Sequence, residues 1–383
     1  MSEIRVNSVK GVSASTAALT INNTDGTCTA NLTNNRSSKN KIINGSFMIS
    51  QRGTSESGIN GANEGYRQAP DRWKVEGATF GAHTVSQSTD SPNEFGFSYR
   101  VNCTTAETSL SASSFFEIIQ KIEGFNLQDF AKGTSDAKQF ALSFHVKTTK
   151  TGTYVVFLLD HDSSRMCCKT YTVSDTNWNK YEIIFPADTT GAFDNDKNAS
   201  LSVKFVLVAG TTFTSGTLQS SSWGSASNAN SRVGQVNFAD STSNNWYLSG
   251  VQLEVGGVVT DYEHKSITDE YLGCARYFQQ FGGTRVYFAG RTANQDGLNV
   301  SPACPVPMRN TPSVSGGGSY DLFSSSGSGN SSTTPTIETY QTRDFNQCFL
   351  GNVFFTLASG TYCNDARVGS VRIGDTLNFD AEL

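Results

Sequence analysis

Charge and histidine are both scarce in this chain, and each scarcity excludes something. Only 16% of the 383 residues are charged and the formal net charge is −5, so a basic nucleic-acid-binding surface is not expected. The four histidines are dispersed and form no His-Glu-x-x-His zinc site. A P-loop, a Gly-x-Ser-x-Gly elbow and a Gly-x-Gly-x-x-Gly following a strand are also missing. No run approaches the roughly 18 apolar residues of a membrane-crossing helix, so membrane insertion is not expected. Met1–Val6 lacks the positive-then-apolar pattern of a signal peptide. The expectation is a chain made in the cytosol that leaves, if at all, by a route such as lysis.

Eight cysteines are scattered from Cys28 to Cys363 and never form Cys-x-x-Cys. Free, buried thiols in a reducing cytosol are expected. Asp160-His161-Asp162 near Cys167-Cys168 could suggest a metal, but adjacent residues of a strand point to opposite faces and cannot easily share one. Asp194-Asn195-Asp196-Lys197-Asn198 begins like a calcium loop. Ala199 and Phe205 stand where the EF-hand pattern needs Gly and Glu, so a solvated loop is expected.

What the chain does have is glycine, 35 residues of it, with abundant Ser, Thr and Asn, the composition of an all-β protein rich in turns. Its length implies two or three domains. Residues 1–40 carry short β-like patches at Ile4, Val6 and Val9, at Ala18–Ile21 and at Cys28–Leu32. They are too short to bury a core alone, which fits an attachment or trimerisation segment. Residues 41–265 read as an antiparallel sandwich. Ile42–Gly53 and Asn245–Gly256 read as its paired first and last strands. Asp71–Val75 places Trp73 and Val75 on one face, with Trp73 in the core. Phe140, Leu142, Phe144 and Val146 alternate with Ala141, Ser143 and His145. Tyr154–Leu159 is continuously apolar, Tyr181–Phe185 is a strand, and Val203, Phe205 and Leu207 alternate. A short helical turn is expected at Leu127–Ala131, stopped by Gly133.

Residues 266–281 read as a connecting helix capped by Ser266, with Asp269 three positions on. Ile267, Tyr271, Cys274, Phe278 and Phe281 form its apolar stripe, packed on its own domain or at a three-fold axis. Residues 282–383 read as a smaller β domain, with strands at Arg285–Phe288, Phe349–Phe355 and Val368–Ile373. Val314–Pro335, rich in Gly, Ser and Thr, is expected to be a long loop.

Three groups of motifs carry a resemblance. The first is Asn44-Gly45-x-Phe47, Gln51-Arg52-Gly53 and Asp71-Arg72-Trp73. The second is Lys121-Ile122-Glu123-Gly124, Asp129-Phe130 and Leu142-Ser143-Phe144-x-Val146-Lys147. The third is Trp246-Tyr247-Leu248-x-Gly250-Val251-Gln252-Leu253-Glu254, Asp261–His264 and Cys274-x-Arg276-Tyr277-Phe278. Together they resemble the jelly-roll, carbohydrate-binding-module-like domain of bacteriophage tail-fibre and virion-surface proteins. Ser2–Val9 looks like the start of fibre-like proteins of marine and cyanobacterial phages. The resemblance implies a jelly-roll sandwich, a virion location and frequent trimers. The partners would be further copies of the chain, other virion proteins of tail, adaptor or capsid, and host cell-surface polysaccharide. Carbohydrate-module jelly rolls often hold a structural calcium near the first and last strands. Met48 and Ser249-Gly250 stand where its acids would be, which argues against that site, and no cofactor is expected.

The function expected from these readings is that of a non-enzymatic tail fibre or spike contacting host glycans. A head-decoration protein and a polysaccharide depolymerase are the alternatives. Sugar platforms are built from flat aromatic rings with amides and carboxylates beside them. Trp178, Trp223, Tyr66 and Tyr171 lie in polar, turn-rich stretches and are the candidate ligand contacts. No catalytic or metal-binding residue is assigned; Glu117, Glu123, Asp160 and Asp162 are the acids a depolymerase could use.

Overall fold

The computed structural model describes residues 38–282, 304–316 and 376–383 throughout. Beyond these it describes Thr24 and backbone strands between Ser8 and Ala30 and between Val286 and Ile373. Thirteen strands build an antiparallel sandwich: β1 (Ser55–Ile59), β2 (Gly65–Tyr66), β3 (Lys74–Ala78), β4 (Ala82–Ser88), β5 (Ser98–Thr105), β6 (Phe115–Glu123), β7 (Phe140–Thr148), β8 (Gly152–Asp160), β9 (Arg165–Val173), β10 (Asn179–Phe185), β11 (Ala199–Ala209), β12 (Gly224–Ser225) and β13 (Asn245–Val255). One sheet has the order β10-β7-β13-β5-β4-β1, the other β12-β9-β8-β11-β6-β3-β2. These interleaved orders and wholly antiparallel pairings are those of a jelly-roll sandwich.

Alternation decides which residues enter the core. Phe140, Leu142, Phe144 and Val146 of β7 are all fully buried between the sheets, as are Val203, Phe205 and Leu207 of β11. Phe144 meets Phe205 edge-on at 5.0 Å, and Phe205 contacts both Trp73 and Trp246 at 6.2 Å. Burying each such ring contributes about 1.5–3 kcal/mol. The unbroken apolar run of β8 has a separate cause. Tyr154, Val156 and Leu158 face the core, while Val155 and Phe157 join Met166, Cys168 and Val206 in a second cluster on the outer face. Residues 210–236 cover that outer face. Gln219 O accepts from Cys168 N at 2.7 Å, Val236 N donates to Thr153 O at 2.9 Å, and the Arg232 guanidinium lies 4.3 Å from the Phe213 ring. Cys167 and Cys168 thus sit on opposite faces, both as free thiols.

Several expectations are corrected. Ile42–Gly53 is not a strand. Asn44 and Phe47 both have φ of 58°, which bends the segment into turns. It still docks on β13, through Lys41 N to Leu253 O at 2.8 Å and Val251 N to Gly45 O at 3.0 Å. The turn near Leu127 is a pair of 3-10 turns, Gly124–Asn126 and Gln128–Phe130, the second ended by Ala131 at φ 49°. The helix spans only Ile267–Ala275, with Ser266 Oγ accepting from Asp269 N at 3.1 Å as expected. Phe278 belongs to the next strand, Phe278–Gly282. The helix turns Glu270 inward to accept from Asn44 N at 2.7 Å, and this leaves Ile267 53% and Tyr271 36% exposed.

Phe278–Gly282, Thr376–Asp380 and Ser313–Gly316 form a three-stranded sheet with Thr376–Asp380 in the centre. Seven further strands between Val286 and Ile373 make another sheet, including Val286–Asn294, Asn352–Thr356 and Val368–Ile373. The stretch expected to be a loop carries Ser313–Gly316, Tyr320–Ser324 and Gly329–Ser332. Backbone ladders form there; residues 317–319, 325–328 and 333–335 lie outside the described residues. Ser8–Val9, Leu19–Ile21 and Cys28–Ala30 pair into a small antiparallel sheet. Among the described residues no helix is long and apolar enough to cross a membrane.

Candidate functional site

The motifs that carry the sequence resemblance converge on a buried junction. Asn44 Nδ2 donates to Ile49 O and Asp71 O at 2.8 and 3.0 Å, and Trp73 Nε1 donates to Asn44 O at 3.1 Å. Asp71 accepts from Gln51 N and Gln51 Nε2 at 3.0 and 2.6 Å. Arg72, at φ 75°, lays its guanidinium on the Tyr277 ring 3.4 Å from the centroid, donates to Lys121 O at 2.8 Å and pairs with Glu382. Arg52 stacks on Phe278 at 3.6 Å and pairs with Asp380 at 3.0 Å. Arg276 bonds Glu123 through two nitrogens at 2.8 and 2.7 Å. These residues hold the Asp380–Leu383 segment to the sandwich.

A different arrangement lies on the outer face of the six-stranded sheet. Trp246 and Leu248 of β13 enter the core, so Tyr247 between them faces outward. Lys147 of β7 is its register partner on one side and Arg100 of β5 on the other. Both cations approach the Tyr247 ring, at 5.6 Å from the centroid in each case. Trp178, just before β10, extends the row: its ring centroid is 6.1 Å from that of Tyr247, with planes at 65°. Ser86 of β4 pairs in register with Arg100, and Ser55 of β1 with Ser86. The row therefore crosses the sheet at right angles to its strands, with about 10 Å between the Lys147 and Arg100 backbones. Trp178, Tyr247, Arg100 and Lys147 are all half-buried.

Hydrogen bonds fix the row. Asp90 accepts from Trp178 Nε1 at 3.0 Å and from Lys147 Nζ at 2.7 Å. Burial pushes the Asp90 carboxyl up, but these two bonds and the nearby charges outweigh it and hold it below its usual range. Arg100 donates from Nε and Nη2 to Asn245 Oδ1 at 3.1 and 2.7 Å. The neighbouring part of the face is closed by Phe95, whose ring lies 4.9 Å from Tyr262, 5.3 Å from His264 and 5.4 Å from His145.

Of the four aromatic residues singled out from sequence, Trp178 stands in this row. Tyr66 is half-buried at the junction, its hydroxyl donating to Leu383 O at 3.0 Å. The expected exposure fails for the other two. Trp223 is 5% exposed, packs on Phe140 at 5.3 Å and donates to Pro186 O at 2.8 Å. Its Ser-rich loop folds the indole into the end of the core. Tyr171, also 5% exposed, lies on the inner face of β9 among Phe144, Tyr154 and Tyr181. Sequence reasoning missed Tyr247, Arg100, Lys147 and Asp90. The strict alternation around Tyr247 was the available signal; the register that aligns three strands was not readable.

Each acid considered for catalysis has a partner within the fold. Glu117 pairs with Lys204 at 3.2 Å and with Arg232, Glu123 with Arg276 at 2.7 Å, and Asp160 with Lys132 at 2.5 Å. Asp162 caps a loop, accepting from Asp194 N at 2.8 Å. Asp196 accepts from Asn198 N at 2.8 Å, as a solvated turn does. Among the described residues no group of three metal-ligating side chains is found.

No protein-family model matches the sequence, and no curated protein matches it. Solved structures do. A putative sugar binding protein from Bacteroides thetaiotaomicron is 10% identical, with 56% of this chain and 99% of that one covered at a TM-score of 0.32. The family 22 carbohydrate binding module of Clostridium thermocellum Xyn10B is 15% identical, covering 53% and 99% at 0.28. TmCBM61, solved with β-1,4-galactotriose, is 9% identical, covering 56% and 98% at 0.29.

Proposed function

We propose that this chain is a non-catalytic carbohydrate-binding protein of a phage particle, a trimeric fibre or spike that contacts host surface glycan through the outer face of the six-stranded sheet. The observation that carries the binding reading is the transverse row Trp178, Lys147, Tyr247 and Arg100, half-exposed and held by Asp90 and Asn245. Aromatic faces stack on the apolar faces of sugar rings, and flanking amides and charged groups take hydroxyls, the mix of a few fixed polar groups among rings expected of a ligand site. The virion reading is supported by the sequence resemblance. The exposed Ile267 and Tyr271 offer an apolar strip for self-association, and three weak sites on one fibre would gain by multivalency.

The binding test is retention of the full chain on host cells and on their extracted polysaccharide, wild type against Trp178→Ala and Tyr247→Ala. Loss in both variants with unchanged folding supports the reading, and equal retention overturns it. Labelling of intact particles by electron microscopy locates the protein: label at the tail supports a fibre, and label over the capsid lattice makes it a decoration protein. Sedimentation at micromolar concentration tests the trimer.

A further inference from the structure

The charge on the transverse row points to the class of glycan. Around this face most cations already have an anion: Lys147 pairs with Asp90 at 2.7 Å, Lys180 with Glu182 at 2.8 Å, and Lys150 with Asp240. Arg100 differs. Its hydrogen-bond partner is the neutral amide oxygen of Asn245, and among the described residues no carboxylate stands within ion-pair distance of it; Asp90 feels its charge from beyond that distance but bonds Lys147 and Trp178. Two of its five N–H groups are used there, leaving three, on Nη1 and Nη2, available. A half-buried guanidinium held by a neutral group, in a chain of net charge −5, is not explained by a general basic surface. Two other acids lie on nearby loops. Asp175 accepts from Asn177 N and Asn179 Nδ2, both at 2.9 Å, and Glu94 is exposed beyond the Phe95 cover. Neither pairs with Arg100.

Resting on the carbohydrate-binding reading above, we propose that the row selects an acidic glycan, with successive sugar rings against Trp178 and Tyr247, whose planes differ by 65°, and a uronate-type carboxylate received by Arg100. The flat guanidinium fork matches a carboxylate in two parallel hydrogen bonds, which a lysine ammonium cannot do. Its half-burial strengthens that bond relative to open water. Asn245 sets the guanidinium plane before the ligand arrives, which lowers the ordering cost of binding. The approach to Tyr247 places the charge about one strand spacing from the ring, so one sugar residue can meet both.

Titration of the full chain with matched oligosaccharides tests this: tetragalacturonate as the acidic probe and its neutral galactose tetramer as control, against wild type, Arg100→Gln, Arg100→Lys and Trp178→Ala. The expected result is acidic over neutral by about tenfold or more, a preference that shrinks as salt rises. Arg100→Gln should lower acidic binding by about tenfold or more and neutral binding by much less, and Arg100→Lys should restore part of the acidic affinity. Trp178→Ala should weaken both. Equal binding of both probes, or Arg100→Gln lowering both alike, overturns the acidic preference and leaves the platform standing. Absence of binding to either probe overturns the acidic preference too. If host polysaccharide is then retained equally by wild type and Trp178→Ala, the platform reading falls with it.

Discussion

Arg72 and Glu382, 310 positions apart, form an ion pair whose side chains are 1% and 4% exposed. Arg72 reaches it from a left-handed backbone between Asp71, which orders Gln51, and Trp73, which enters the core. One tripeptide thus serves a turn, a core and the attachment of a distant segment.

Removing Arg72 leaves the buried Glu382 carboxylate with Arg52, whose Nη1 stands 3.4 Å away, as its remaining side-chain cation among the described residues. Arg72→Met is expected to cost about 3–5 kcal/mol, and Arg72→Met with Glu382→Gln less than the sum of the two single changes. Denaturant melts of the four proteins measure the coupling; additive losses would show that the two residues act independently.

The two tryptophans singled out from sequence should behave oppositely. Trp223→Ala removes a buried ring and is expected to destabilise by about 3–5 kcal/mol. Trp178→Ala is expected to stay within about 1 kcal/mol of wild type while losing cell retention. Calorimetry and binding on the same samples separate the two effects, and a reversed pattern would relocate the platform.

His83 is fully buried against Phe80, Phe116 and Phe238, and neither ring nitrogen has a partner among the described residues. Burial pushes its pKa down from 6.5 to about 3. The unfolded chain therefore takes up a proton that the native state refuses. Stability from this residue is complete above pH 6.5 and is lost as pH falls from 6.5 toward 3, by about 1.4 kcal/mol per pH unit. His83→Leu should gain about 1–3 kcal/mol at neutral pH by removing an unpaired polar group, and its advantage should grow in acid. Urea melts at pH 7 and pH 5 check both; an advantage that shrinks in acid would contradict the assignment.

Gly45 has no room for a side chain. A Cβ there would stand 2.2 Å from Val251 O, on the strand whose N–H bonds Gly45 O. Gly45→Ala is expected to cost about 1–3 kcal/mol, against about 0.5 or less for Gly96→Ala, where no atom lies within 4 Å. A thermal-melt comparison decides it, and equal melting points would mean that the Ile42–Gly53 segment yields.

Alternation in the sequence was enough to orient Phe140–Val146 and Val203–Leu207, because a half-buried strand must put apolar residues at every second position; Trp73 also enters the core, but from the turn ahead of Lys74–Ala78 and not from a strand over Asp71–Val75. It failed for Ile42–Gly53, which looks apolar because it is buried, while the positive φ values at Asn44 and Phe47 keep it out of a ladder. It failed for Trp223 and Tyr171, since polar neighbours describe a loop or an outer face and not where the ring goes. The row at Tyr247 depends on register across strands distant in sequence, and register is set by turns and bulges such as that between Ser143 and His145.

The three-stranded sheet of Phe278–Gly282, Ser313–Gly316 and Thr376–Asp380 has a topological consequence. Residues 283–303 leave from one edge strand and the chain returns at the other edge, while residues 317–375 leave from that second edge and return to the central strand, its hydrogen-bonded neighbour. Both are therefore excursions closed at the base, and lengthening either adds little closure entropy. Natural selection can redraw these stretches, in length or in sequence, while the sheet at their root and the sandwich beneath keep their geometry. A change in what these excursions contact and a change in folding stability would then fall on separate parts of one polypeptide.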